Sequence, residues 1–353
     1  MRGLPVPGES AWEYAVVAFF SEDEVTSNGD AQAQFNAGLA LFAKGQTLTD
    51  LNEAVELIER AAAAGYARAT EYCALIECIG AGRPINWTAA LDRLRDAAEQ
   101  GSASAAHQLL LFADPDHELE FPQSPSARFW SEIRRRIDVA RMLAPREGQT
   151  AIERPFVGVL QGFAAPGECR WLVEGARERL GPSTIYDYTT GALRGDERRT
   201  SSAAMFSFDR TDLVIEMIRA RIAATLDLPL PRFEVSQVLH YAPGQEFKPH
   251  HDYFDPAAEG FQQEIAERGQ RVATFLIFLN DEFTGGETRF PTLGFNYRGR
   301  IGDAIAFASV DPDGQPNPRT LHAGLPPTSG EKWIFSQWIR DRIAGAAAAP
   351  AGH

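Results

Sequence analysis

The stretch "FKPHHDYFD", residues 247–255, crowds two histidines and two aspartates among three aromatic residues. Imidazole nitrogens and carboxylate oxygens are good ligands for divalent cations, so the stretch raises the question of a metal. In an extended strand successive side chains alternate faces, which sets His250 and Asp252 on one side and His251 on the other. A His-x-Asp pair supplies two legs of the arrangement of two histidines and one carboxylate that holds non-haem Fe(II) on one face and leaves the opposite positions open. The third leg must come from elsewhere. Of the seven histidines, only His322, in "RTLHAGLPPTSGEKW", and His353, the last residue, lie beyond residue 252. His353 ends an Ala/Gly/Pro tail without chemistry to assign. Ten residues after His322, Lys332 opens the strand-like run "KWIFSQWI". Deep inside a β-barrel such an ammonium needs an anion, because an unpaired buried charge is very costly. A dicarboxylic cosubstrate would provide one.

Positioning these residues falls to the C-terminal half. From Pro155 onward, short runs of β-branched and aromatic residues ("FEVSQVLHYAP", "VATFLIFLND", "GETRFP", "GDAIAFAS", "WIFSQWI") alternate with Gly, Pro and Asp turns. Two helical stretches, "APGECRWLVEGARERL" and "RTDLVIEMIRARIAATL", precede most of them. The expectation is an α+β domain, a barrel or jelly roll backed by helices.

The N-terminal half reads differently. Gly29, Gly65 and Gly101 recur every 36 residues, with Ala31, Ala67 and Ala103, then Leu39, Leu75 and Leu111, in register behind them. Leu51, Ala54, Val55, Ile58 and Ala62 follow the spacing of an amphipathic helix. Each period therefore holds two helices, with the glycine expected to cap one of them in the left-handed region, and the half reads as an all-α helical solenoid. The basic run Arg134 to Arg136, on a linking helix, reads as a solvated or internally paired face.

The chain has 353 residues, a formal net charge of -14 and three cysteines. That charge argues against a broad nucleic-acid or anionic-membrane surface. Cys73, Cys78 and Cys169 are too few for a disulfide framework, which fits a reducing compartment, and no run is long enough to span a bilayer. The expected location is cytoplasmic.

The ordered series "GFAAPGECRWLVEGA", "RRTSSAAMF", "QVLHYAPGQEFKPHHDYFD", "RVATFLIFLNDEFTGGETRFP", "GDAIAFA" and "LHAGLPPTSGEKWIFSQWIR" resembles the 2-oxoglutarate- and Fe(II)-dependent dioxygenases, specifically the prolyl 4-hydroxylase-like group. "RAAAAGYARA" and "DAAEQGSASAA" resemble Sel-one-like repeats, relatives of tetratricopeptide repeats. The resemblance implies a double-stranded β-helix (jelly roll, cupin-like) over 154–343 and repeats over 29–114; pattern and composition give a loop and linking helix over 115–153, an N-terminal segment 1–28 and a low-complexity, disordered tail 344–353. It implies His250, Asp252 and His322 as iron ligands, Lys332 as the partner of the distal carboxylate of 2-oxoglutarate, and Tyr241 and Thr274 as hydrogen-bonding residues for that cosubstrate. Trp338 matches an aromatic on the substrate side. Arg199 lies in a region leading to loops over the site, and His251 adjoins the mouth; both are substrate-contact candidates. "TIYDYTTGALRGDERRTSS" is the candidate lid. The activity implied is hydroxylation of an unactivated C–H bond at the expense of 2-oxoglutarate and O2, with succinate and CO2 released and ascorbate in support. A peptidyl proline is the expected target, with the repeats either contacting a protein partner or only stabilising the second domain. A free amino acid or small metabolite is the alternative substrate, and a repeat-based adaptor with an inactive oxygenase domain the alternative function.

Overall fold

Short polar side chains mark where the N-terminal helices begin. Thr47 Oγ1 accepts from Asp50 N at 3.1 Å while Asp50 Oδ2 accepts from Thr47 N at 3.0 Å, and Asn86 and Ser102 accept from Ala89 N and Ala105 N. Each bond satisfies an amide that the first helical turn leaves without a partner. In the computed structural model these caps open Leu48–Ala63, Trp87–Glu99 and Ala103–Ala113, and Gly29–Lys44 and Ala67–Ile79 complete a helical region. The structure describes residues 29–44, 47–115, 122, 125–187, 192–195, 198–258 and 260–343. The N-terminal segment 1–28 and the tail 344–353 lie outside them.

Small residues let these helices approach. A Cβ on Gly38 would sit 2.8 Å from Ile58 Cγ1, and Ala54, Ile58, Ala61, Ala90 and Ala97 are fully buried. Gly65 and Gly101 follow helix ends with φ of 87° and 96°, the left-handed turn expected of them. Gly29 departs from that expectation: it is the first residue of a helix. Polar bonds also join successive periods. Ser102, Ser104 and Gln108 donate to the Glu71 carboxylate at 2.9, 2.6 and 2.7 Å, and burial raises that carboxyl. The linking stretch forms two helices, Ala127–Arg136 and Val139–Leu143. Arg134 pairs with Asp92 at 2.9 Å and Arg135 with Glu132, the internal pairing expected of the basic run.

Contacts divide the chain into two units, Met1–Leu143 with Thr211–Met217, and Ala144–Arg210 with Ile218–His353. The division falls ten residues before the expected boundary at 153/154. The reason is local: "QTAI", in the stretch expected to be a linker, is the strand Gln149–Ile152, which pairs antiparallel with Val157–Leu160. The second unit holds an eight-stranded antiparallel sheet, ordered Gln149–Ile152, Val157–Leu160, Ala304–Ala308, Arg271–Phe278, Lys332–Arg340, Ser236–Tyr241, Ser202–Phe206 and Gly181–Pro182. A four-stranded sheet runs Phe295–Tyr297, Thr288–Phe290, His322–Gly324 and Phe247–His250. Side chains of both meet in one cluster, with Phe290 of the smaller sheet packed among Leu239, Tyr241, Phe278, Ile305, Phe307 and Ile334 of the larger.

Helix Pro166–Arg177 lies against the larger sheet, where Arg177 covers the Trp333 ring at 5.1 Å. Its Glu168 accepts from Ala165 N at 2.9 Å and pairs with the buried Arg221 at 2.8 Å. The candidate lid contains the strand pair Thr184–Asp187 with Ala192–Gly195; Gly191, between the two strands, lies outside the described residues. The three cysteines are free and buried. Among the described residues no helix is long and apolar enough to cross a membrane.

Candidate metal centre

The two short strands that end and begin at histidines are neighbours. Phe247–His250 pairs with His322–Gly324 so that His250 stands opposite His322. Asp252 lies two residues beyond the end of its strand, in a bend. Strand alternation therefore does not aim its carboxylate. The Thr274 hydroxyl does, donating to Asp252 Oδ2 at 2.6 Å from the larger sheet. The result brings His250 Nε2 within 3.7 Å of Asp252 Oδ1 and His322 Nε2 within 3.5 Å of Asp252 Oδ2. One donor atom from each residue falls within 4.8 Å of the others.

Proton placement suits a cation. His250 Nδ1 lies 2.8 Å from the Lys248 carbonyl and His322 Nδ1 3.0 Å from the Thr320 carbonyl. A carbonyl only accepts, so each Nδ1 carries the proton and each Nε2 turns a lone pair inward. Burial and the neighbouring His322 ring push His250 down to about 3, which keeps it neutral. Burial alone would raise Asp252, but the two imidazoles and the Thr274 hydroxyl outweigh it and hold the carboxyl below its ordinary value. Two imidazoles and one carboxylate on one side of a cavity fit Fe(II).

Aromatic rings brace the histidines. Phe247 stacks on His250 with centroids 3.4 Å apart, and Arg199 covers Phe247 at 4.9 Å. Phe307 meets His322 edge-on at 4.7 Å, and Phe290 lies 5.6 Å from the same ring. None of these phenylalanines is marked out by ligand chemistry. The only signal for Phe247 is its place three residues before His250.

The cavity beside the triad is lined by Tyr241, Thr274, Lys332 and Trp338, with Arg199 and the apolar Leu239, Leu276 and Ile334. Lys332 stands opposite Tyr241 across the strand pair; it is 2% exposed, and its Nζ lies 5.0 Å from the Tyr241 ring centroid. Burial pushes the ammonium down to about 7, with Glu287 opposing the shift. Among the described residues Lys332 forms no salt bridge, so a carboxylate of a bound dicarboxylic acid fits this end of the cavity. Glycine allows the approach: Gly285 and Gly286 both have positive φ, and a Cβ on Gly286 would meet Phe283 at 2.8 Å and Lys332 Cδ at 3.3 Å.

Two of the candidate residues also bond within the protein. Thr274, the candidate for bonding the cosubstrate, donates its hydroxyl proton to Asp252. His251 is not among the residues lining the cavity; its Nε2 lies 3.1 Å from the Pro318 carbonyl and its ring stacks on Tyr253 at 4.6 Å. Arg199 departs from an ordinary surface arginine, since it is 6% exposed, lines the cavity and donates to Gln237 Oε1 at 3.2 Å.

Comparison with known proteins agrees with this chemistry. The pattern of the 2OG-Fe(II) oxygenase superfamily matches residues 236–340. Prolyl 4-hydroxylase 1 of Arabidopsis thaliana is 39% identical over 202 residues, covering 53% of this chain and 70% of that protein. A putative prolyl 4-hydroxylase of Acanthamoeba polyphaga mimivirus is 31% identical over 190 residues, covering 54% of this chain and 75% of that protein. Among solved structures, the viral collagen prolyl hydroxylase of Paramecium Bursaria Chlorella virus-1, in its 2OG complex, is 32% identical, with a TM-score of 0.41, covering 52% of this chain and 95% of that one. With its Arabidopsis relative matched over most of its length and the oxygenase pattern over the ligand strands, the chain belongs to the prolyl 4-hydroxylase family of Fe(II)- and 2-oxoglutarate-dependent dioxygenases.

Proposed function

We propose that the enzyme hydroxylates a prolyl residue of a peptide or protein, with His250, Asp252 and His322 holding the iron and Lys332 pairing with the distal carboxylate of 2-oxoglutarate. The observation that carries this reading is the convergence of the three donors with a buried ammonium in one cavity. When bound, Fe(II) supplies the coupling of 2-oxoglutarate decarboxylation to C–H oxidation: 2-oxoglutarate, O2 and R–H become succinate, CO2 and R–OH. The chain's residues do the rest. Lys248 and Thr320 carbonyls hold the Nδ1 protons, Thr274 orients Asp252, Tyr241 packs beside the cosubstrate's carboxylate, and Leu239, Leu276 and Ile334 exclude water. Trp338 and Arg199 serve the substrate side.

In this reading the two facing sheets are a double-stranded β-helix. The helical region is a short Sel-one-like solenoid that contacts the protein substrate. Its support is periodicity: helix ends at Ala63 and Glu99, and helix starts at Ala67 and Ala103, each recur after 36 residues. The repeats run over 29–114, and ascorbate sustains turnover. Three free cysteines fit the reducing cytoplasm.

The test is incubation of the purified chain with Fe(II), ascorbate, 2-oxoglutarate and a panel of proline peptides, read by mass spectrometry. Gain of one oxygen on proline with stoichiometric succinate is the expected result. Oxygen gained only on free amino acids or small metabolites would overturn the peptide assignment.

A further inference from the structure

Behind the cavity wall lies a charged assembly that the reaction as described does not use. Arg271, at the start of its strand, binds Glu234 through two parallel bonds, Nε to Oε1 at 2.7 Å and Nη2 to Oε2 at 2.8 Å. Arg340 donates to the same carboxylate and, through Nη2, to Glu264 at 2.6 Å. Its Nη1 also donates to the Gly269 carbonyl at 2.7 Å. The Arg340–Glu264 pair is buried, with side chains 5% and 9% exposed, and the Arg271–Glu234 pair is partly buried at 16% and 12%. Taking such pairs out of water only to stabilise a fold gains little, since well-packed apolar residues would do as well or better.

The guanidinium groups have other work in view. Arg271 Cζ sits 3.6 Å from the centroid of the Trp338 ring, the ring that lines the cavity. Arg271 and Arg340 also cover Phe254, at 4.7 and 4.9 Å, and Phe254 is two residues from Asp252. Trp338 stands opposite Thr274 in the strand register. A planar cation clamped by a bidentate carboxylate fixes a ring it stacks on, because the fork can neither rotate nor slide without losing both bonds.

We propose that Arg271, locked by Glu234, is a positioning residue that holds the Trp338 ring as the wall against which the peptide substrate is seated. The inference deepens the prolyl-peptide reading and rests on it. Arg271→Lys keeps the charge but loses the fork and the flat stack. It raises the KM for a proline peptide about tenfold, the worth of one desolvated cation–ring contact, and leaves kcat and the KM for 2-oxoglutarate within about twofold of wild type. Because Arg271 acts through the Trp338 ring, Arg271→Lys adds nothing to the peptide KM of Trp338→Ala, which removes that ring, in the double variant. Glu234→Gln, which removes the anchor and spares the arginine, gives the same split and carries the test if Arg271→Lys fails to fold.

A second measurement needs no turnover. In chain labelled with 5-fluorotryptophan, the Trp338 resonance, identified by its loss in Trp338→Phe, broadens or shifts in Arg271→Lys while the resonances of the other five of the six tryptophans hold. An unchanged Trp338 line, or KM effects that multiply in the double variant, overturns the proposal. Absence of peptide turnover by the wild type would instead overturn the peptide reading, and the fluorine line then decides the clamp alone.

Discussion

Thr274 Oγ1 donates to Asp252 Oδ2 at 2.6 Å, across the gap between the larger sheet and the bend that follows the histidine strand. A carboxylate outside its strand is thereby held by a hydroxyl on the eight-residue strand Arg271–Phe278.

Thr274→Val keeps the shape and removes that donor. Fe(II) affinity, measured by anaerobic titration, falls about 10- to 100-fold, the usual cost of losing a residue that orients a metal ligand. Thr274→Ser restores most of it. An unchanged affinity in the valine variant would mean that the bend orients Asp252 unaided.

Asp252→Ala removes the only carboxylate of the triad. The variant is expected to lose both retained iron, read by elemental analysis after dialysis, and succinate formation, while thermal unfolding stays cooperative. Unchanged turnover would sink the ligand assignment.

In the proposed site, Lys332→Met leaves the distal carboxylate of 2-oxoglutarate without its partner. Removing one member of a buried, hydrogen-bonded charge pair costs about 2–5 kcal/mol, so the KM for 2-oxoglutarate rises at least about 30-fold. The wild type carries a pH signature. The folded Lys332 sits at about 7 against an ordinary 10.5. Below pH 7 the ammonium is present and binding is strongest; as pH rises through 7 the free enzyme loses that proton and the KM for 2-oxoglutarate climbs. Stability runs the other way. Between pH 7 and 10.5 the unfolded chain binds the extra proton, so stability rises with pH across that window. Lys332→Met is therefore the more stable protein near pH 7 without cosubstrate, and chemical denaturation across pH 6–10 shows the gap closing.

Glu71→Ala leaves Ser102, Ser104 and Gln108 without their shared acceptor. The helical region loses about 1–3 kcal/mol, read by urea unfolding of the helical circular-dichroism signal, with the metal affinity of the other unit unchanged.

Short-range pattern in the sequence determined a good deal: the 36-residue period announced paired helices, the β-branched runs announced strands such as Arg271–Phe278 and Lys332–Arg340, and His250 with Asp252 raised the question of a metal, which the resemblance of the ordered motifs extended to His322 and Lys332. All of these are local signals, or motifs whose order along the chain carries the information. Tertiary structure alone decided the contacts that depend on strand register. Alternation put His250 and Asp252 together for a reason that does not apply, since the strand ends at His250 and the larger sheet aims the aspartate. The strand at 149–152 was hidden in a polar, apparently linking stretch because its partner supplies the pairing. Arg271 and Trp338 stand 67 residues apart and meet only because Trp338 pairs with Thr274, three residues after Arg271. No periodicity connects such residues, because register between distant strands is set by the packing of the whole sheet and not by either segment.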